Sequence, residues 1–293
     1  MSKKIIKILS IRINLAGIFV LLAGCAAPVP ERAIEDVGPV TAYARNVLAD
    51  ENPAGLIRLG EGFERSGDYV GARRLYAQAM AVAPELIDAQ ISYARASAKV
   101  GRGDEAVAIL ISILNKAPNN RQANSTLAAI HAEAARYKSA VDILVKIENP
   151  TPQELVDLGK VSYALGLQDR AVEAFASAIN AAPNDPAVLE AAALSYGLSG
   201  NYASAVGLLS RAMDNPEHTS AARASLAKIY ALSGQRSAAV NLARGVMSAE
   251  EVNRLEFFYR LLPRFTPAEQ AAALYFNHIP KDAVARLSGN ATN

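Results

Sequence analysis

The chain has 293 residues, of which 51% are hydrophobic, and it contains one cysteine. Because four basic and no acidic side chains lie in the first 24 residues, residues 25–293 carry 26 basic and 28 acidic side chains, a formal charge of −2. This balance argues against nucleic acid or an anionic membrane surface as the partner of the main body of the chain. A single cysteine also excludes a disulfide within the chain and a cysteine-cluster metal site.

The first 25 residues have the organisation of a bacterial export signal. The four basic side chains, at positions 3–12, precede an apolar run over residues 15–23 that is too short to span a bilayer comfortably. Leu22-Ala23-Gly24-Cys25 then resembles the bacterial lipobox. The resemblance implies that the signal peptide, residues 1–24, is removed and that acyl chains such as palmitate are attached at Cys25. The alternative is an ordinary signal peptide with an incidental cysteine.

The residues that follow the lipobox bear on location. In enterobacterial lipoproteins, Asp after the lipidated cysteine retains the protein in the inner membrane, whereas this sequence has Ala26. We therefore expect a lipid anchor in the outer membrane, with the protein on the periplasmic face. Pro28, Pro30 and Pro39 predict an extended tether over residues 25–40, and residues 41–49 are expected to form one preliminary helix.

Most of the remaining chain repeats with a period of about 34 residues. The first copy resembles the tetratricopeptide pattern in spacing and residue type, at Leu59-Gly60, Phe63, Gly67, Tyr69, Ala72, Tyr76, Ala79 and Pro84. Five further copies give six repeats, at about 53–86, 87–120, 121–151, 152–185, 186–219 and 220–253. The third repeat is short and has Ala135 in place of the turn glycine, so we expect a tighter or bent junction there.

The repeated residues have structural reasons. A glycine ends the first helix of each hairpin in a left-handed conformation, an alanine marks the closest approach of the two helices, and a proline stops the second helix. These residues are Gly67, Gly101, Gly166, Gly200 and Gly234; Ala72, Ala106, Ala171 and Ala205; and Pro84, Pro118 and Pro183. The sequence therefore predicts an all-α fold, a tetratricopeptide-repeat solenoid of about six helical hairpins over residues 41–253.

The C-terminal residues depart from the repeat. Ser248 with Glu251, and Thr266 with Glu269, have capping-box spacing and predict helices at about 249–262 and 267–278. One interpretation is that residues 254–293 cap the last apolar face of the repeats, as a solenoid requires. The other is that part of the aromatic cluster is an exposed patch for a partner, formed by Phe257, Phe258 and Tyr259.

Repeats of this kind bind extended peptides or helices on the inner face of the first helix of each hairpin. By resemblance, repeat positions 2, 5, 9, 12 and 13 point inward toward that face. The candidate partner-binding residues are Ile57, Glu61, Arg65, Ile91, Arg95, Lys99, Val156, Lys160, Tyr163 and Lys228. Ile57 and Glu61 occupy two positions of the Lys/Asn clamp with which chaperone-binding members hold a terminal carboxylate, so that clamp is not reproduced.

Signals of an enzyme are absent from the sequence. His131, His218 and His278 are far apart and have neither metal-ligand nor base spacing. The chain contains no glycine-rich phosphate loop and no nucleophile elbow. We therefore expect no catalytic residues, no cofactor, no metal and no small-molecule substrate.

The lipobox, the tether, six repeats and the segment Ser248–Arg260 together resemble one family, the TadD-like lipoproteins of the tight-adherence (Tad, or Flp) pilus apparatus. The resemblance implies a scaffold that helps the outer-membrane secretin to assemble or localise, in the manner of a pilotin. Two other functions stay open: a regulator of peptidoglycan synthases or hydrolases, and a periplasmic cargo chaperone.

Overall fold

The computed structural model describes residues 52–244 and 248–287, without the side chains of residues 249, 284 and 285. The predicted signal peptide, Cys25, the tether and the helix at 41–49 all lie outside the described residues. The described part of the chain forms two compact units, which we call the N-terminal unit (residues 52–134) and the C-terminal unit (residues 135–287). The boundary between them falls within the short third repeat.

The N-terminal unit is a series of helices, each packed against the next. They are α1 (Pro53–Arg65), α2 (Tyr69–Val82), α3 (Ile87–Lys99), α4 (Gly103–Lys116) and α5 (Arg121–Glu133). The first two repeats each supply one hairpin, α1 with α2 and α3 with α4, as the sequence predicts.

The C-terminal unit continues the pattern and then leaves it. Its helices are α6 (Tyr137–Leu144), α7 (Pro152–Ala164), α8 (Gln168–Ala181), α9 (Pro186–Leu198), α10 (Tyr202–Met213), α11 (Thr219–Leu232), α12 (Arg236–Arg244), α13 (Ala249–Leu261), α14 (Pro267–Phe276) and α15 (Lys281–Leu287). The fourth, fifth and sixth repeats supply the hairpins α7–α8, α9–α10 and α11–α12. None of the helices in the described ranges is both long and apolar enough to cross a membrane.

The turns within the hairpins confirm the role predicted for the glycines. All five predicted turn glycines have positive φ; for Gly166, between α7 and α8, φ is 87°. A side chain would strain the backbone at such a position. In the third repeat, Ala135 adopts a positive φ of 57° although it has a side chain. The helix that follows, α6, has only 8 residues. The third repeat therefore differs from the others in its turn and in the length of its second helix, while the bent junction stays a prediction.

The predicted close approaches between helices are also confirmed. Ala72, at the start of α2, and Ala171, in α8, have no exposed surface. The ring of Phe175 lies against Gly159 of α7, where an added Cβ would be 2.8 Å from a ring carbon. The bulky ring therefore requires a glycine opposite, because real side chains do not approach so closely.

Helices α13 and α14 begin at the predicted capping boxes. Ser248 and Glu251 exchange both hydrogen bonds of the box, as do Thr266 and Glu269. Helix α13 packs against α12 and α11 and so covers the end of the sixth repeat. Helix α14 instead returns to the fourth repeat and packs against α7 and α9, a placement that the sequence did not predict.

Candidate functional site

In the N-terminal unit, four of the predicted partner-binding residues lie around one cavity. Its volume is about 430 Å³, and it is lined by Glu61, Glu64, Arg65, Tyr69, Arg95 and Lys99. Helices α1 and α3, the first helices of two successive hairpins, supply five of these six side chains. We call this cavity the N-terminal groove.

A bidentate ion pair crosses the N-terminal groove from α3 to α1. Nη2 of Arg95 lies 2.8 Å from Oε2 of Glu64, and Nε lies 3.2 Å from both carboxylate oxygens. Burial would lower the pKa of Arg95, but the hydrogen bonds and the charge of Glu64 outweigh burial, and the pKa is raised. Burial, with the charge of Glu64 adding to it, raises the pKa of the Tyr76 hydroxyl to about 12. The pair is therefore a fixed structural element rather than a free binding group.

The other charged side chains of the N-terminal groove differ in whether they are already paired. Lys99 forms an ion pair with Glu133 of α5. Glu61 and Arg65 have no hydrogen bond or ion pair with another side chain among the described residues, and Arg65 is exposed. These two side chains are the ones that a partner could engage without breaking an existing pair.

The two isoleucines predicted for this face require a correction. Ile91 has no exposed surface, so it presents nothing to a partner in this arrangement. Ile57 is half-buried and packs against two small core clusters, which include Leu56 and Tyr76. Position 5 of the repeat lies too close to the neighbouring helices here to remain in the groove.

In the C-terminal unit, helix α14 covers the corresponding face. The Tyr275 hydroxyl donates a hydrogen bond to the carbonyl oxygen of Ala191 in α9, at 3.1 Å. The Tyr275 ring stacks against Phe175 with centroids 6.1 Å apart, and the Phe276 ring lies 5.1 Å from that of Tyr137. Burial raises the pKa of Tyr275 well above its usual value, so its hydroxyl stays a donor at neutral pH.

Two predicted binding residues are lost under this helix. Val156 and Tyr163 of α7 are almost fully buried, in the same core cluster as the buried alanines and Leu274 of α14. The expectation that they face an open groove is therefore corrected: the chain's own helix occupies that face. We call the surface of α7 and α9 beneath α14 the covered face.

Lys160 and Lys228 keep partial exposure. Nζ of Lys160 lies 3.5 Å from Oδ1 of Asp157. The pKa of Lys228 is lowered, mainly by burial, with the charge of Lys160 adding to the shift and that of Glu190 opposing it. Glu190 is itself held by a 2.7 Å hydrogen bond from the Ser225 hydroxyl. These lysines are thus embedded among other charges and do not form an open basic patch.

The predicted aromatic patch on α13 is mostly interior. Phe258 and Tyr259 are buried in the main core cluster, with their ring centroids 5.8 Å apart. Phe257 is half-buried, and the guanidinium of Arg260 lies 5.0 Å from its ring centroid. The exposed-patch interpretation does not describe Phe258 and Tyr259, because α13 uses them to close the end of the last repeat, as the capping interpretation expects.

The sequence did not predict that Tyr69 lines the groove, that Glu64 pairs with Arg95, or that Tyr275 reaches the fourth and fifth repeats. Glu64 occupies repeat position 12, one of the positions expected to point inward, but its pairing with Arg95 depends on two adjacent repeats. The sequence around Tyr275 did contain an indication of this packing. A tyrosine that follows a run of alanines in a short helix indicates a helix face that packs closely against its neighbours.

Comparison with known proteins agrees with the repeat architecture. Residues 65–130 match the model of the tetratricopeptide repeat family. This is a tetratricopeptide-repeat fold. No curated protein sequence matches the chain.

Similar solved structures share the architecture. For pilF from Pseudomonas aeruginosa, the match has 18% identity and a TM-score of 0.53, and covers 73% of this chain and 99% of pilF. A structure of MamA matches with 20% identity and a TM-score of 0.43 over 55% of this chain and 95% of MamA. At this identity the pilF likeness shows the fold alone.

The tetratricopeptide-repeat fold is a scaffold for protein–protein interaction, and it typically has no enzymatic activity. Among the described residues, no group of three or more His, Cys, Asp or Glu side chains is placed to hold a metal ion. The N-terminal groove is accordingly the candidate site for a protein partner.

Proposed function

We propose that this protein is a lipid-anchored periplasmic scaffold of the Tad/Flp pilus apparatus that helps the outer-membrane secretin to assemble or localise, in the manner of a pilotin. The sequence support is the lipobox ending at Cys25 and the resemblance of Ser248–Arg260 to the TadD-like lipoproteins. The structural observation that carries the binding role is the N-terminal groove, with two unpaired charged side chains.

The N-terminal groove suits the partner better than the covered face does. A ligand of α7 and α9 would have to displace α14, with its hydrogen bond to Ala191 and its stacked rings. A ligand of the N-terminal groove would displace no described segment of the chain. Because the unpaired charges there are Glu61 and Arg65, the partner segment is expected to carry charges of both signs.

A charge reversal tests this assignment. The double variant Glu61→Lys/Arg65→Glu keeps the formal charge and leaves the Glu64–Arg95 pair intact, so it should fold normally and lose partner binding. Its matched control is Arg74→Glu, an exposed position on α2, the second helix of the same hairpin. In cells we expect the double variant, but not the control, to reduce secretin multimers in the outer membrane and the number of surface pili.

The same experiment separates the other functions. Normal secretin multimers and pili in the double variant would contradict the groove assignment, and normal levels in a full deletion would contradict the pilus role itself. Capture of peptidoglycan synthases or hydrolases by the wild-type chain, with no pilus component, would favour a regulator of cell-wall synthesis instead. Aggregation of a soluble periplasmic cargo in the deletion strain would favour a chaperone.

A further inference from the structure

A second cavity lies where the sixth repeat meets the first capping helix. Its volume is about 570 Å³, and its lining includes Gly234, Arg236, Ser237, Tyr259, Arg260 and Pro263. The proposed partner-binding role uses none of these side chains. We call it the α12 cavity, because the first turn of α12 forms one wall.

The first turn of α12 has two backbone N–H groups without a hydrogen bond to any described residue, those of Ser237 and Ala238, and both residues line the cavity. The N–H of Arg236 donates to the Gly234 carbonyl at 2.9 Å. In α2 and α10, two of the equivalent helices of other repeats, Asp68 and Asn201 accept a hydrogen bond from a first-turn amide, whereas α4, α6 and α8 begin without such a cap. Around α12, no described side chain does so, and the side chain of Gln235 donates instead to the hydroxyl of Ser233 at 3.1 Å. An uncapped helix start carries partial positive charge and favours an anion.

Two arginines add full positive charges beside this helix start. Nε of Arg236 is 3.9 Å from the nearest oxygen of Glu256, which is beyond hydrogen-bond distance. The guanidinium of Arg260 makes a cation–π contact with the ring of Phe257. This contact leaves the N–H groups of Arg260 able to donate hydrogen bonds to an oxygen. Both guanidinium groups therefore keep N–H donors for a ligand, although Glu256 reduces the local positive potential.

Tyr259 supplies an observation that does not depend on the helix start. It is only 5% exposed and lines the cavity, yet its hydroxyl has no hydrogen-bond partner among the described residues. The unpaired hydroxyl oxygens of Tyr76 and Tyr137 are fully enclosed, whereas that of Tyr259 is not, so its small exposed area reaches the cavity. Burial raises the pKa of Tyr259 to about 12, which keeps it a donor at neutral pH. A nearly buried donor without a protein partner is a position where water or a bound ligand supplies the acceptor.

We infer that the α12 cavity binds a phosphate group, either as free phosphate or as part of a lipid headgroup. The donors comprise backbone amides, two guanidinium groups and the hydroxyls of Ser237 and Tyr259, which is more than the two oxygens of a carboxylate can use. A phosphate group offers more acceptor oxygens, and arginine pairs with it in bidentate fashion. The volume leaves space for the rest of a phosphate ester.

The test uses the full chain with Cys25→Ser, so that the lipid anchor does not bring the protein to membranes. Inorganic phosphate is titrated by calorimetry, with acetate as the carboxylate comparison. Separately, the protein is sedimented with vesicles of phosphatidylglycerol and phosphatidylcholine, or of phosphatidylcholine alone. Arg236→Gln and Arg260→Gln are compared with Arg244→Gln, an exposed arginine at the other end of the same helix. Because all variants share the same N-terminal residues, differences between them report on the cavity.

We expect Arg236→Gln and Arg260→Gln each to weaken binding by about tenfold or more, and Tyr259→Phe to weaken it by roughly fivefold without unfolding the chain. Arg244→Gln should bind as the parent does. If the arginine variants lose binding only to inorganic phosphate, the ligand is free phosphate. If they lose binding only to phosphatidylglycerol vesicles, the ligand is a lipid headgroup. The inference fails if neither probe binds, if the Arg236→Gln and Arg260→Gln variants bind as tightly as Arg244→Gln, or if acetate binds as tightly as phosphate.

Discussion

The hydrogen bond between Tyr275 and Ala191 gives a direct measure of how firmly α14 holds the covered face. Tyr275→Phe removes the hydroxyl and keeps the ring stacked on Phe175, so only one neutral hydrogen bond is lost. Such a bond stabilises a protein by about 0.5–1.5 kcal/mol. We therefore expect the free energy of unfolding to fall by about 1 kcal/mol, with the position of α14 unchanged.

Tyr275→Ala removes the ring as well and should have a larger and different effect. Truncation of a fully buried aromatic side chain costs about 3–5 kcal/mol. Because Tyr275 is partly exposed, we expect the lower figure of about 2–3 kcal/mol. We also expect α14 to detach from α7 and α9 more often, since it loses the hydrogen bond to Ala191 of α9 and the ring contact with Phe175 of α8.

Urea unfolding followed by circular dichroism measures the free energies, and hydrogen exchange read by mass spectrometry measures the detachment. Residues 152–164, 186–198 and 267–276 should exchange faster in Tyr275→Ala. Tyr202→Phe is the matched control, because the Tyr202 hydroxyl donates to the Leu232 carbonyl at 3.2 Å in the same unit. It should lose similar stability to Tyr275→Phe without faster exchange in α14. Unchanged exchange at 267–276 in Tyr275→Ala would refute the account of α14 as the cover of this face.

Three further predictions follow from the turns, the packing and the N-terminus. Gly166→Ala forces a side chain into a left-handed turn and should lower the free energy of unfolding by about 1 kcal/mol, whereas Ala135→Gly should raise it by about 0.5–1 kcal/mol, as urea unfolding would show. Ala171→Leu should overpack the α7–α8 hairpin and cost about 1–3 kcal/mol; an unchanged thermal midpoint would contradict the helix contact. Cys25→Ser should abolish incorporation of labelled fatty acid, and normal labelling would remove the lipid anchor from the proposal.

The periodic part of this fold could be predicted because its determinants are local. Gly166, Ala171 and Pro183 each act within one hairpin, through a turn, a close approach and a helix stop. Their spacing recurs, so each copy reinforces the interpretation of the others. The capping boxes at Ser248 and Thr266 are similarly local, since each is formed by residues three apart.

The partner-binding face could not be predicted as well, because burial depends on contacts between distant residues. Val156 and Tyr163 are buried in a cluster that includes residues of α8, α9 and α14, and the return of α14 to this face is not visible in the sequence. Ile91 is buried by the closeness of its own neighbours, which a repeat position does not reveal. Glu61 and Arg65 do line the groove, and their role in binding a partner stays a prediction.

The hydrogen bond from Tyr275 to Ala191 joins residues 84 positions apart, and this separation affects the order in which the protein can form. The hairpins of the N-terminal unit depend on near neighbours in sequence and can form while the rest of the chain is still being synthesised. The C-terminal unit has to wait for its last helices before the apolar face of α7 and α9 is closed. A premature stop codon only a few dozen residues before the end would therefore leave that face open to aggregation and to proteases, although every repeat would be intact.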